Sequence, residues 1–166
     1  MKILKSLFTF LLVSAIPVLT FTSCGGDEPG EENSWSVNIN GQIHTYPIVS
    51  ASVYYAQNGG CSLLFVDKEF SVTHPLNQEP PSNWCAIDIP LGDWDLYLAT
   101  SDCRPDSYYT ANELSQKKQS FSGPSSKGEY TLKFTCHIPT DNIDISINYK
   151  GIPQPVDYYF WQWAED

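Results

Sequence analysis

Residues 129–149 read EYTLKFTCHIPTDNIDISINY, and this stretch decides the fold class. Apolar and polar residues alternate with a period of two on both sides of a Pro-Thr-Asp turn, as in two half-buried strands joined in a hairpin. One face of the first half carries Tyr130, Leu132, Phe134 and Cys136, and one face of the second carries Ile143, Ile145, Ile147 and Tyr149. The stretch therefore predicts an antiparallel sheet with one face on a core.

The same alternation continues toward the N-terminus, at a strand spacing of about ten residues with Gly, Pro, Asn and Asp between strands. The dipeptide Asn40-Gly41 is the strongest short hairpin signal and separates 35–39 from 42–46. Further strands are predicted at 50–57, 61–66, 84–89 and 94–99. The pattern predicts an all-β domain, an antiparallel β-sandwich of about eight strands or a barrel.

One segment departs from the period of two. Residues 107–118 contain Ala-Asn-Glu-Leu at 111–114 and a Lys pair at 117–118, which suits a helix better than a strand. We therefore predict one short helix of one or two turns near 107–118, lying over an end of the sheet.

The N-terminus has the composition of an export signal. Lys2 and Lys5 precede an apolar run over 7–21, which is short for a membrane span and is interrupted by Pro17. The run ends in Phe-Thr-Ser-Cys at 21–24, which resembles a bacterial lipobox of the Bacteroidetes type. The resemblance implies that the signal peptide, 1–23, is removed and that Cys24 carries a diacylglycerol and acyl anchor, because a thiolate is the nucleophile that takes the lipid.

The residues after Cys24 predict a linker between the lipid anchor and the folded domain. Residues 24–34 combine Gly and Pro with four acidic residues, so they read as a flexible acidic tether to a β-sandwich domain over 35–166. Acidic residues soon after the lipidated cysteine resemble the export signal of Bacteroidetes surface lipoproteins. The expected location is the outer membrane, lipid-anchored, with the cell surface favoured over the periplasmic face.

The net charge of the chain limits which classes of binding partner are expected. The chain has 9 Lys+Arg and 19 Asp+Glu, and removal of 1–23 leaves 7 basic and 19 acidic residues, a formal charge of −12. Nucleic acid is not an expected partner, because its phosphates require clustered Lys and Arg. The predicted partners are the membrane, through the lipid anchor, and a glycan or an envelope protein.

Four cysteines remain after Cys24, and an even number in an exported domain predicts disulfides. If 84–89 and 94–99 form a hairpin, Cys85 comes near Cys103, and Cys61 could likewise meet Cys136. Free buried thiols are the alternative, since cysteine is a good core residue. No metal site or other cofactor is expected, because C-x-x-C is missing from the sequence and the histidines are scattered.

Catalytic signatures are missing from the sequence, and His44, His74 and His137 are isolated, so no enzyme is predicted. Asp93 and Asp95 flank Trp94 on one strand face, as a glycosidase could require, although aspartates beside a turn usually make local hydrogen bonds. A Ser-His-Asp arrangement could still assemble across the chain.

The C-terminus offers the strongest binding signal. Extended, residues 157–163 place Tyr159, Trp161 and Trp163 on one face, where they could stack on sugar rings; a last strand buried on both faces is the alternative. Residues 128–151 also resemble the closing hairpin of Bacteroidetes β-sandwich lipoproteins, most of which have no assigned activity. The sequence thus predicts a non-enzymatic surface lipoprotein, first a glycan-binding module, second a protein-assembly or adhesin-type component, and third a glycosidase-like enzyme.

Overall fold

A computed structural model of the chain describes residues 32–57, 59–70, 81–89, 94–101 and 104–156. This part of the chain forms eleven strands: β1 (Ser34–Ile39), β2 (Gln42–Pro47), β3 (Ser50–Tyr55), β4 (Cys61–Val66), β5 (Trp84–Ile89), β6 (Asp95–Thr100), β7 (Arg104–Tyr109), β8 (Ser115–Ser122), β9 (Tyr130–Ile138), β10 (Ile143–Gly151) and β11 (Gln154–Val156).

The strands form two sheets. The first sheet has the order β2-β1-β10-β9-β8, and the second has the order β11-β3-β4-β5-β6-β7. Among the described strands every pairing is antiparallel except that of β11 with β3. The predicted all-β sandwich is confirmed, and the barrel alternative is wrong, because the two sheets pack on each other without closing.

The core lies between the sheets and is built by the alternation that the sequence displays. Strand β9 buries every second residue from Tyr130 to Ile138, and β10 does the same from Ile143 to Tyr149. Aromatic rings then join the two sheets: Phe65 lies 5.0 Å from Tyr149 between ring centroids, and Trp94 stacks on Phe134 at 5.6 Å. Burial of each such side chain contributes about 1.5–3 kcal/mol to stability.

The hairpin at Asn40-Gly41 forms as predicted. Both residues have positive φ, 53° and 84°, as a two-residue type I′ turn requires. Strand β1 starts at Ser34. Asn33 is attached to the sheet as well, since its side-chain oxygen accepts a hydrogen bond from the backbone N–H of Lys150 at 2.7 Å.

The predicted helix near 107–118 is wrong in extent. One 3-10 turn, Ala111–Glu113, stands between β7 and β8, and the remainder of the segment pairs with β6 and β9. Glu113 accepts hydrogen bonds from the backbone N–H and the side-chain hydroxyl of Thr110, the residue that precedes the turn. Sheet pairing therefore prevails over local helix propensity here.

The described part of the chain contains more strands than the roughly eight predicted. Each of the eight strands predicted within the described residues is present, and β7, β8 and β11 are additional. Strand β8 is an exposed edge strand with a polar sequence, so it has no apolar alternation to signal it. Strand β11 has only three residues and contains Pro155, which a strand tolerates at an edge.

Candidate functional site: a tyrosine–aspartate surface

The candidate site lies on the outer face of the second sheet, the face turned away from the core. Ile87 and Leu96 point into the core, so the neighbouring Asp88 and Asp95 point outward. These two aspartates are Cα partners on β5 and β6, which places their side chains side by side. A pair of carboxylates therefore stands on the outside of the sheet.

Hydroxyl and aromatic groups surround the two carboxylates. Ser62 is the Cα partner of Asp88, and Tyr54 is the Cα partner of Ser62, so the row continues across β4 and β3. In the next row Tyr97 pairs with Tyr108, their ring centroids 4.5 Å apart. We call this set the tyrosine–aspartate surface; it consists of Tyr54, Ser62, Asp88, Asp95, Tyr97 and Tyr108.

Hydrogen bonds hold the carboxylates in place. Asp95 accepts one from the Tyr108 hydroxyl at 2.9 Å and one from the backbone N–H of Ala111 at 2.8 Å. Asp88 accepts one from the hydroxyl of the buried Ser62. Asp95 thus anchors both a surface tyrosine and the 3-10 turn, a structural role of the kind expected of an aspartate beside a turn. The other aspartate of the predicted glycosidase pair, Asp93, lies outside the described residues.

Tyr108 is the most accessible member of the surface, with 48% of its area exposed. Partial burial, the hydrogen bond to Asp95 and the negative charges of Asp95 and Asp88 together raise its pKa above the ordinary value for tyrosine. Its hydroxyl therefore remains protonated and continues to donate to Asp95 throughout the physiological pH range.

The surface has the chemistry of a polar ligand site. Tyrosine rings offer flat apolar faces, and fixed carboxylates accept hydrogen bonds from hydroxyl groups. Within the described ranges no group of three or more His, Cys, Asp or Glu side chains is placed to hold a metal ion.

The predicted sugar-stacking residues Tyr159, Trp161 and Trp163 lie outside the described residues, as does the predicted lipidation site Cys24. The last described residue, Val156, is nevertheless the Cα partner of Tyr54 on the parallel pair β11–β3.

The predicted disulfide between Cys61 and Cys136 is wrong. Both thiols are free. Cys61 opens β4 in the second sheet and Cys136 lies in β9 of the first, whereas the prediction treated these strands as neighbours. Cys85 is also free, so the predicted Cys85–Cys103 bridge is absent; Cys103 itself lies outside the described residues.

Burial suppresses the reactivity of these thiols. Burial first, and then the charge of Asp88, raises the pKa of Cys61 to about 11. Burial and the charge of Asp144 raise the pKa of Cys136 to about 12. The pKa of the fully buried Cys85 is raised further, again by burial and then by the charge of Cys136. Since the thiolate is the nucleophile, these cysteines act as core residues.

A Ser-His-Asp grouping does occur on the first sheet, but its geometry differs from that of a triad. His137 Nδ1 lies 2.8 Å from Asp144 Oδ1, and Asn38 hydrogen-bonds to the other oxygen of Asp144 at 3.3 Å. Ser115 is the Cα partner of His137, yet its hydroxyl donates to the His137 carbonyl oxygen rather than to the imidazole. The serine is therefore not activated as a nucleophile.

Sequence reasoning missed Asp88, Tyr97 and Tyr108 as members of a site. The signal was available for the first two: Ile87-Asp88-Ile89 and Leu96-Tyr97-Leu98 each place one polar residue outward between two core residues. Tyr108 lies in the segment that was predicted to contain a helix, so its position on a strand was not recognised.

No helix in the described part of the chain is long and apolar enough to cross a membrane. In comparisons with known proteins, the chain matches no family model, no curated protein and no solved structure.

Proposed function

We propose that the mature chain is a non-enzymatic, lipid-anchored protein of the outer membrane, displayed at the cell surface, that binds a glycan through the tyrosine–aspartate surface. The observation that carries the binding proposal is the cross-strand pair Asp88 and Asp95, fixed by hydrogen bonds beside the paired rings of Tyr97 and Tyr108. None of these side chains belongs to the core between the sheets.

The chemistry supports a sugar ligand. A sugar ring has an apolar C–H face, which stacks on an aromatic ring, and a rim of hydroxyl groups, which donate to carboxylates. Tyr108 is half exposed and Asp88 is partly exposed, so both can meet a ligand without a change of fold. The carboxylates are already oriented, which lowers the entropic cost of binding.

Binding is favoured over catalysis by the arrangement of Asp95. Each of its two oxygens already accepts a hydrogen bond from the protein, one from Tyr108 and one from Ala111. A glycosidase uses two carboxyl groups that exchange protons with the substrate across a bound sugar. A carboxylate that anchors a turn is better suited to a fixed acceptor role.

The lipid anchor and the C-terminal aromatics complete the proposal. The lipobox-like sequence that ends at Cys24 supports a membrane anchor, and the acidic tether after it supports display of the domain away from the membrane. Tyr159, Trp161 and Trp163 would add stacking area if they meet the same ligand, because aromatic rings pack on the apolar face of a sugar.

Binding is tested with the mature chain, 24–166, made soluble by Cys24→Ser and titrated against neutral polysaccharides while tryptophan fluorescence is followed. Tyr108→Ala is expected to weaken binding by up to about tenfold, since an aromatic contact is worth about 0.5–1.5 kcal/mol. Tyr108→Phe keeps the ring and is expected to retain most of the affinity. Ile43→Ala, an exposed residue of the first sheet, is the control.

Two results would contradict the glycan proposal. If none of the polysaccharides changes the fluorescence or the heat of mixing, or if Ile43→Ala weakens binding as much as Tyr108→Ala, the glycan proposal is wrong. The anchor is tested separately in cells: labelled palmitate should be incorporated by the natural chain and not by Cys24→Ala. Protease added to intact cells should degrade the domain if it lies on the outer surface.

A protein-assembly role is the second candidate, and strand β2 is the observation that favours it. No described strand pairs with its outer edge, its sequence QIHTYP has no Asp, Glu, Lys or Arg, and Ile43 is 66% exposed. An uncharged edge strand can accept a strand from a partner. Ile43→Lys should abolish co-purification of an envelope protein with the natural chain; co-purification that persists would exclude β2.

A further inference from the structure

A groove lies at the edge of the second sheet, where β3 and β11 begin. It has a volume of about 600 Å³ and is lined by residues 49–51, 69–70 and 152–155; we call it the edge groove. Its walls are the chain segments that enter β3, follow β4 and join β10 to β11. Because β3 and β11 are parallel neighbours, the two segments that lead into them from the first sheet lie side by side.

Hydrogen bonds fix the walls of the edge groove to one another. The backbone N–H of Val49 donates to the carbonyl oxygen of Val66 at 2.9 Å. The backbone N–H of Phe70 donates to the Ser50 hydroxyl at 3.0 Å, and the third wall is held by the pairing of β11 with β3. The groove is therefore formed before any ligand arrives, which lowers the entropic cost of binding.

The edge groove presents apolar side chains to solvent. Val49 is 47% exposed and Ile152 is 68% exposed, which makes them two of the five exposed large apolar residues in the described part of the chain. Phe70, Pro153 and Pro155 add further apolar surface to the lining. Exposed apolar residues gathered at one place are typical of a contact with another molecule.

Glu69 is the one charged residue of the lining. Its side chain is exposed, and within the described part of the chain its carboxylate has no hydrogen-bond or ion-pair partner. The adjacent Lys68 lies outside the lining and already has an interaction of its own. The mature chain as a whole carries −12, which attracts a basic partner. The edge groove therefore combines apolar walls with one available negative charge.

We propose that the edge groove binds an extended segment of a partner protein in which a basic residue lies next to apolar residues. The apolar side chains of the segment pack on Val49, Phe70 and Ile152, and the basic side chain pairs with Glu69. Arginine suits this position better than lysine, because a guanidinium donates two parallel hydrogen bonds to a carboxylate. The proposal is independent of glycan binding, since no residue of the groove belongs to the tyrosine–aspartate surface.

Shape favours a chain segment held by its side chains. The groove is open to solvent, whereas a site for a small molecule usually encloses most of its ligand. Strand addition, the mode considered for β2, does not suit this edge, because β11 has three residues and Pro155 has no N–H to donate. Side-chain contacts with the groove therefore provide the recognition.

The test uses the mature chain, 24–166, with Cys24→Ser and two capped, fluorescent peptides, Leu-Arg-Val-Arg-Leu and Leu-Glu-Val-Glu-Leu. Fluorescence anisotropy should show binding of the basic peptide, with an affinity that falls as salt rises, and no binding of the acidic peptide. Ile152→Ala should weaken binding of the basic peptide at least fivefold, because it removes apolar contact area. Ile43→Ala changes an equally exposed isoleucine on β2 and should weaken binding less than twofold.

A second pair of variants tests the charge. Glu69→Gln should weaken binding of the basic peptide at least threefold and reduce its salt dependence. Glu113→Gln removes the same charge at the exposed 3-10 turn after β7, the opposite edge of the second sheet. That edge lies five strand spacings away, about 24 Å, so Glu113→Gln should weaken binding less than 1.5-fold.

Melting curves verify that the four variants are folded. Equal losses in Ile152→Ala and Ile43→Ala, or in Glu69→Gln and Glu113→Gln, would overturn the proposal, because binding would then not depend on the groove. No binding of the basic peptide would also overturn it; if light scattering then shows a dimer that Ile152→Ala dissociates, the occupant is a second copy of the chain. Tyr108→Ala should leave peptide binding unchanged, so failure here is distinguishable from failure of the proposed function.

Discussion

The two outer faces of this sandwich differ although both belong to antiparallel strands. In the first sheet β9 and β10 alternate, with buried residues toward the core and Ser, Thr, Asn and Lys toward solvent. In the second sheet β4 and β5 are buried on both faces over most of their length, and Leu64, Trp84 and Ala86 form an apolar cluster on the outside. The outer face of the first sheet is thus exposed to solvent. The outer face of the second sheet is buried at one end and exposed at the tyrosine–aspartate surface.

This difference in burial predicts that the outward residues of the two sheets contribute differently to stability. Outward residues of β9 and β10 in the first sheet are partly or fully exposed to water. Outward residues at the covered end of the second sheet contribute to a second apolar cluster, to which Phe70 and Val156 also belong. Matched substitutions on the two faces measure the difference.

The largest difference is expected between Trp84→Ala and Ser146→Ala, both at outward positions. Trp84 is 5% exposed, so its removal leaves a cavity and should lower the free energy of unfolding by about 3–5 kcal/mol. Ser146 is partly exposed, and its substitution should change that free energy by less than about 0.5 kcal/mol. Urea denaturation measures both, and equal losses would refute the contrast between the faces.

A smaller difference is expected between two outward carboxylates, Asp95 and Asp144. Asp95→Ala removes the acceptor of Tyr108 and of the Ala111 N–H and should cost about 1–2 kcal/mol. Asp144 is 58% exposed and pairs with His137 at the surface, so Asp144→Ala should cost less than about 1 kcal/mol. Thermal melting at neutral pH measures both; a larger loss for Asp144→Ala would reverse the assignment.

The smallest effect concerns thiol reactivity and leaves stability unchanged. With a pKa of about 11, Cys61 is about one part in a thousand thiolate at pH 8, and this fraction rises about tenfold per pH unit up to the pKa. Cys136 has a higher pKa and is 4% exposed, so it should be alkylated more slowly than Cys61. Iodoacetamide labelling of the native chain, read by peptide mass, gives both rates; faster labelling of Cys136 would contradict this order.

Much of the fold could be predicted because its signals are local. The period of two predicted β9 and β10, and Asn40-Gly41 predicted the first hairpin, whose two turn residues have positive φ. The segment around Ala111 was predicted incorrectly. Its composition favours a helix, whereas the residues on both sides of it form hydrogen bonds with neighbouring strands. Strand β8 could not be predicted from alternation, since an edge strand with most residues exposed needs no apolar face.

Less of the candidate site could be predicted, because it depends on register. The outward direction of Asp88 and Tyr97 follows from their apolar neighbours, so the sequence alone could predict that both lie on the outer face of the sheet. That Asp88 stands directly opposite Asp95, and that Tyr108 reaches the same carboxylate, depends on the pairing of three strands. The disulfide prediction also required tertiary information: Cys61 and Cys136 lie in different sheets, and both thiols are free.

The sequence by itself determined that this chain is built of strands and which side of most strands faces a core, because side-chain direction in a strand alternates with every residue. Only the tertiary structure decided which strands are neighbours and at which register. That choice depends on packing between residues far apart in the chain, and it placed β11 beside β3 at the edge groove and brought two aspartates together on β5 and β6.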